Sequence, residues 1–241
     1  MSPAIRAWVL AVGVALLPFE SEAAVIQELT DEVYGTYIDV DGSIARGDYD
    51  ALVHASKALL RRGHPLWIRI NSRGGNLAEA MKIGRFVRKT LATVVVDGAD
   101  ATPGVPQPRR CYSACALILI GAADRHLIHD PVVGIHRPYI ADAVYGAFSP
   151  EQARVTYARL AGEVKDYLAE MGAPGRFVDE MFRTPSTSMR LITDDDLHVM
   201  FAYEEPFLEE WLISRCGALD EKESCKRTQL LAHQQSVLAG R

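Results

Sequence analysis

The stretch Arg110-Cys111-Tyr112-Ser113-Ala114-Cys115-Ala116-Leu117-Ile118-Leu119-Ile120-Gly121 passes from a polar start into an unbroken apolar run. Such a run has no polar face to give to water, so a buried helix is expected after Ser113, with Gly121 ending it. Upstream, the segment from Gly98 to Arg110 holds Gly104, Pro103, Pro106 and Pro108 and reads as loop. Ser113 therefore stands where the chain turns from a loop into a helix N-terminus.

Two neighbouring segments matter most. Downstream, Val132-Val133-Gly134-Ile135 reads as a buried strand, and His136 stands at its end before Pro138. Upstream, Trp67-Ile68-Arg69-Ile70 reads as a short strand that runs into Asn71-Ser72-Arg73-Gly74-Gly75-Asn76. Leu77, Met81, Gly84, Val87 and Leu91 then recur at helical spacing, and Thr93-Val94-Val95-Val96 is a buried strand.

The rest of the chain extends the alternation. Tyr34 to Val40 is a strand closed by an Asp41-Gly42 turn. Asp48 is placed to cap a helix carrying Leu52, Val53, Ala55, Leu59 and Leu60. Ser149-Pro150-Glu151-Gln152 combines a Ser cap, Pro at the first helical position and Gln at the capping-box position, and its helix is expected to reach Gly172. Arg176 to Phe182 suggests a further helix, Met189 to Ile192 a short strand, and the segment after Tyr203 a polar helical tail. Strands alternating with helices predict a layered α/β core.

The chemistry available is that of a serine hydrolase. A serine is a useful nucleophile only when a base takes its proton and nearby donors hold the oxyanion. His136 is the candidate base, because imidazole titrates near neutrality. The amide of Ala114 at a helix N-terminus and those of Gly74 and Gly75 are the candidate oxyanion donors. Each residue also has a plain structural reading: Ser113 as a helix cap, the two glycines as a turn, His136 as a structural histidine. Their joint occurrence, in this order, favours the chemical reading. His126 and His129 lack that context and are assigned to surface or capping roles.

Export and charge bound the setting. An Arg6-bearing head, an apolar run from Ala7 to Phe19 and the exit Ser21-Glu22-Ala23 form a secretory signal over 1–23, leaving 24–241 as one domain with a helical tail over about 203–241. The apolar run, about 13 residues, is short of the ~20 that span a bilayer. A membrane attachment is therefore expected only if the signal is retained, and the mature protein is placed in the periplasm or outside the cell. A formal charge of −5 with no basic run excludes nucleic acid as the main partner. In an oxidising compartment the four cysteines are candidates to pair as Cys111 with Cys115 and Cys216 with Cys225, the alternative for the first couple being two small buried residues. A zinc site from Cys111, Cys115, His126 and His129 matches no familiar spacing, and neither a metal nor a cofactor is expected.

Asn71-Ser72-Arg73-Gly74-Gly75, Tyr112-Ser113-Ala114-Cys115-Ala116 and Ile135-His136-Arg137-Pro138 resemble three motifs of the ClpP-like serine peptidases in the Clp protease/crotonase superfamily, across about Tyr34 to Val199. The resemblance implies a ClpP/crotonase-like layered fold of strand-strand-helix units. It implies Ser113 as nucleophile, His136 as base and the Gly75 and Ala114 amides as oxyanion hole. By the same resemblance the helix at 150–171 mediates subunit contacts, and a homo-oligomer is an open option. The chain also resembles exported, periplasmic ClpP-like proteins with the same Cys-x-Ser-x-Cys pattern. Arg73 departs from the family's proline. Where the family places the aspartate that orients the histidine, the chain reads Thr187-Ser188-Met189-Arg190-Leu191, which leaves Ser188 as the candidate third member; Asp194-Asp195-Asp196 is read as a helix cap. The expected function is an exported serine peptidase acting on peptides or unfolded protein. The alternatives are a degenerate peptide-binding or scaffold module and, less in keeping with export, an acyl-thioester enzyme.

Overall fold

The computed structural model of the chain describes residues 23–98, 109–193, 196, 205–217 and 223–240. The signal segment before Ala23, the proline-bearing loop at 99–108, Asp194 and Asp195, and the first part of the tail lie outside the described residues.

Two sheets organise the chain. The larger has five strands in the order β1-β2-β3-β4-β6: β1 (Val25–Asp31), β2 (Gly35–Asp41), β3 (Trp67–Asn71), β4 (Thr93–Asp97) and β6 (Asp124–Ile128). β1 and β2 form an antiparallel hairpin, and the remaining neighbours are parallel. The smaller sheet has β5 (Arg110–Tyr112) parallel to β7 (Val132–Ile135), which pairs antiparallel with β8 (Arg190–Ile192). From β4 onward each pass of the chain lays one strand in the large sheet and the next in the small one before a helix: β4-β5-α3 with α3 at Ala114–Gly121, then β6-β7-α4 with α4 at Asp142–Tyr145. The expected mixed α/β fold of strand-strand-helix units is what the chain forms.

Helices α1 (Asp48–Arg61), α2 (Leu77–Thr90) and α3 pack an apolar side against the strands, and every residue of α3 and of β4 is buried. α5 (Pro150–Glu170) begins with the full capping box: the Ser149 hydroxyl accepts the Gln152 amide and the Gln152 side chain accepts the Ser149 amide. α6 (Gly175–Arg183) follows, then α7 (Pro206–Cys216) and α8 (Glu223–Leu238). α1 corrects one detail of the sequence reading. Its cap is Gly47, at φ 102°, and Asp48 is the first helical residue, its carboxylate accepting the Ala45 amide.

Both cysteine couples are disulfides, Cys111 with Cys115 and Cys216 with Cys225. The second joins α7 to the start of α8. α8 then returns to the large sheet, where Gln234, only 1% exposed, accepts the Leu66 amide (3.0 Å) and donates to the Leu91 carbonyl (3.3 Å). No helix among the described residues is long and apolar enough to cross a membrane, and no group of His, Cys, Asp or Glu among them could hold a metal.

Candidate active site

Three carboxyl-terminal strand ends converge on one crevice, the usual location for ligands in open α/β sheets. β5 delivers Ser113, β7 delivers His136, and β3 delivers the loop at 71–76. The pairing of β5 with β7 sets Tyr112 opposite Gly134, and the Ser113 amide donates to the Gly134 carbonyl at 2.8 Å. A single strand pairing thus closes the long sequence distance between the serine and the histidine. Ser113, His136 and Gly75 line the same cavity of about 400 Å³, whose walls include Leu77, Leu117, Leu160, Val164 and Met181.

Ser113 occupies the N-cap position of α3 without behaving as a cap. Its backbone sits at φ 56°, ψ −119°, and its hydroxyl makes no capping hydrogen bond. A non-glycine residue at positive φ costs on the order of 1–3 kcal/mol and persists where its surroundings over-determine it. Here the surroundings are the Gly134 carbonyl on the amide, the Ala116 amide on the Ser113 carbonyl (3.0 Å), and α3, which is buried along its whole length.

The diglycine loop is tied to both flanks. The Ser72 amide donates to the Arg110 carbonyl (2.8 Å), the Tyr112 amide to the Ser72 carbonyl (2.9 Å), and the Arg110 amide to the Asn71 side chain (3.0 Å). On the other flank, the Ile44 amide donates to the Gly74 carbonyl (2.8 Å) and the Asn76 amide to the Ile44 carbonyl (2.8 Å). Gly75, at φ 137°, lies so close to Ile44 that a Cβ would stand 2.2 Å from its carbonyl oxygen; a Cβ on Gly74 would stand 2.8 Å from Ser113 Cβ. Only glycine lets this backbone approach the serine.

The candidate oxyanion donors separate on this geometry. The Gly74 amide is spent on the Ser72 hydroxyl (3.1 Å). The amides of Gly75 and of Ala114, the first residue of α3, donate to no acceptor among the described residues. The positive end of the α3 dipole adds to the same place.

His136 is 8% exposed, with the ring of Tyr139 5.8 Å away. Its Nδ1 lies 2.8 Å from the Arg137 carbonyl, and the Arg137 amide donates in turn to the Thr184 carbonyl (3.0 Å). A carbonyl can only accept, so Nδ1 carries a proton, and whenever the ring is neutral its lone pair is on Nε2.

The chain is similar to a number of solved structures. One is the 1510-N membrane-bound stomatin-specific protease in a mutant form, at 16% identity and TM-score 0.44 over 76% of this chain and 83% of that one. Another is a mutant ClpP1 from Listeria monocytogenes, at 17% identity and TM-score 0.48 over 68% of this chain and 85% of that one. No family model and no curated protein matches the chain.

The carboxylates near β8 are engaged elsewhere. Asp196 bonds Arg190 (2.8 Å) and Arg176 (2.7 Å), and Glu180 lies 3.7 Å from Arg190. Ser188 donates its amide to the Pro185 carbonyl (3.0 Å), and no hydrogen bond joins it to His136 among the described residues. His126 and His129 stand away from the crevice, beside Asp124 and Asp97.

Three supporting side chains escaped the sequence reading. Glu79, 3% exposed, accepts the amides of Gly47 (2.9 Å) and Tyr49 (3.0 Å), while its own amide donates to the Asn76 cap (3.0 Å), so it joins the start of α1 to the start of α2. Burial works to raise its pKa, yet the Tyr49 amide, the Lys82 ammonium and the Gly47 amide together hold the carboxyl below the usual carboxylate range. Arg88 seals the far end of α3, donating to the carbonyls of Gly121 (2.7 Å), Ile120 (3.1 Å) and Ala122 (3.3 Å). Arg125 adds a bond to Leu119 (3.2 Å) and an ion pair with Glu205.

Proposed function

We propose that the chain is an exported serine peptidase that hydrolyses peptides or unfolded protein at Ser113, without a cofactor. One observation carries this reading: a serine at a helix N-terminus is held at φ 56° with its hydroxyl in no capping bond, in one cavity with His136. A serine serving only as a cap would take an extended backbone and give its oxygen to the second or third amide of the helix.

In the proposed reaction, Nε2 of neutral His136 takes the Ser113 proton as Oγ adds to a substrate carbonyl. The oxyanion that forms is met by the Gly75 and Ala114 amides. Collapse expels the amine, which takes the proton from Nε2, and a water activated by the same nitrogen then hydrolyses the acyl-serine. The apolar cavity walls suit an apolar side chain beside the cleaved bond. The Arg137 carbonyl fixes the tautomer as an aspartate would, but it bears no full charge and steadies the imidazolium less. Ser188 belongs to this proposal as a third member that would engage only once substrate is bound.

Export is supported by the N-terminal signal pattern and the two disulfides. A homo-oligomer is supported by Val144, Tyr145 and Val155, exposed on α4 and α5. The neutral partner of His136 favours a second reading, a peptide-binding module that has lost turnover.

A fluorophosphonate applied to the mature protein separates the two readings. The peptidase requires an adduct on Ser113 that disappears in His136→Ala. A folded protein that takes up no label refutes the peptidase and leaves the binding module.

A further inference from the structure

The strained turn at Ser113 is bracketed by a covalent bond. Cys111, the middle residue of β5, and Cys115, the second residue of α3, are joined with their Cα atoms 5.1 Å apart, and both are wholly buried. The ring they close encloses the serine and its two neighbours. Because it is so short, it removes little freedom from the unfolded chain and adds correspondingly little global stability. Its constraint falls on the local backbone.

That backbone has a competing arrangement. At an N-cap, serine ordinarily takes negative φ and bonds a helix amide through Oγ. In that arrangement the hydroxyl would be engaged and turned along α3, and the cost of positive φ would be relieved. Both flanks are anchored, β5 by its pairing to β7 and to Ser72 and α3 by its burial and by Arg88, so any change has to be taken up within the turn itself. There the hydrogen bonds of the Ser113 amide and carbonyl oppose it, and the bond between residues 111 and 115 adds a covalent limit on the excursion needed to exchange them.

We propose that the Cys111–Cys115 disulfide is a positioning device for the nucleophile: it holds Ser113 in the positive-φ turn and keeps its hydroxyl from capping α3. This rests on the reading of Ser113 as the nucleophile. It also accounts for a cysteine standing on each side of the serine, two residues away in either direction. The second disulfide, Cys216–Cys225, ties α7 to α8 away from the crevice and supplies an internal control.

The test compares three full-length proteins: the parent, Cys111→Ala/Cys115→Ala and Cys216→Ala/Cys225→Ala. Fluorophosphonate labelling rates at Ser113 are measured well below each melting temperature, and crystal structures give φ at residue 113. The first pair is expected to label at least about tenfold more slowly, with φ at Ser113 turned negative and Oγ bonded to an α3 amide. The tail pair is expected to lower the melting temperature and label at the parent rate. Equal labelling and an unchanged φ in the first pair would overturn the proposal, as would equal slowing in both pairs. A parent that does not label refutes the peptidase reading alone, and φ at residue 113 still decides the positioning role. Cys111→Ser/Cys115→Ser is the second route, and failure of both crevice variants to fold counts against the proposal, since positioning requires a scaffold that stands without the bond.

Discussion

The two ends of α3 are finished in opposite ways. At its C-terminus Arg88 and Arg125 satisfy the carbonyls of Leu119, Ile120, Gly121 and Ala122, and their positive charge complements the helix dipole. At its N-terminus the cap residue withholds its side chain, which lines the cavity, and the Ala114 amide meets no acceptor among the described residues. Unmet donors at a buried helix end are costly. Under the proposed function, that end is where a substrate oxyanion completes the bonding.

The sharpest way to break this contrast is at the open end. Ser113→Ala is expected to abolish fluorophosphonate labelling and lower peptide hydrolysis by at least about a thousandfold, with little change in melting temperature. Gly75→Ala comes next. Its Cβ would meet the Ile44 carbonyl at 2.2 Å with φ at 137°, so a stability loss of about 2–4 kcal/mol is expected by denaturant titration, together with loss of labelling as the amide is displaced.

The closed end should respond in the other sense. Arg88→Met strands several carbonyls and is expected to cost about 2–3 kcal/mol while Ser113 still labels. Glu79→Gln, at the start of α2, is expected to cost about 1–2 kcal/mol. The sign of its pH dependence follows from the depressed pKa of Glu79. Its stabilisation is present above the carboxyl's unfolded value and lost as pH falls through the lower folded value, so parent and variant should converge in acid. The smallest effect belongs to Ser149→Ala, which removes half of the α5 capping box for about 1 kcal/mol and leaves labelling unchanged.

How much of this could be read from the chain depended on where each signal resides. α3 and α5 were legible because uniform apolarity and a capping box are local patterns. β6 was not, since Asp124-Arg125-His126 reads as polar surface; Arg125 is buried where the Leu119 carbonyl and Glu205, far along the chain, meet it. β1 escaped for a related reason: it is an edge strand with mostly exposed or half-exposed residues and no clean alternation. At the site, Ser113, His136 and the glycines stood out as residue types. The ties that fix them did not, because Ile44 and Ser72 act largely through main-chain atoms common to every residue. The Arg137 carbonyl behind His136 is the same case, and Arg88 looked like any solvent-facing cation of an amphipathic helix.

Gln234 carries a consequence for how the molecule is assembled. The Leu66 amide and the Leu91 carbonyl, just before two central strands, find their partner among the described residues in the side chain of a glutamine made long after them. The middle of the large sheet therefore stays incomplete while the chain is still emerging. Its final fastening waits for α8 to arrive.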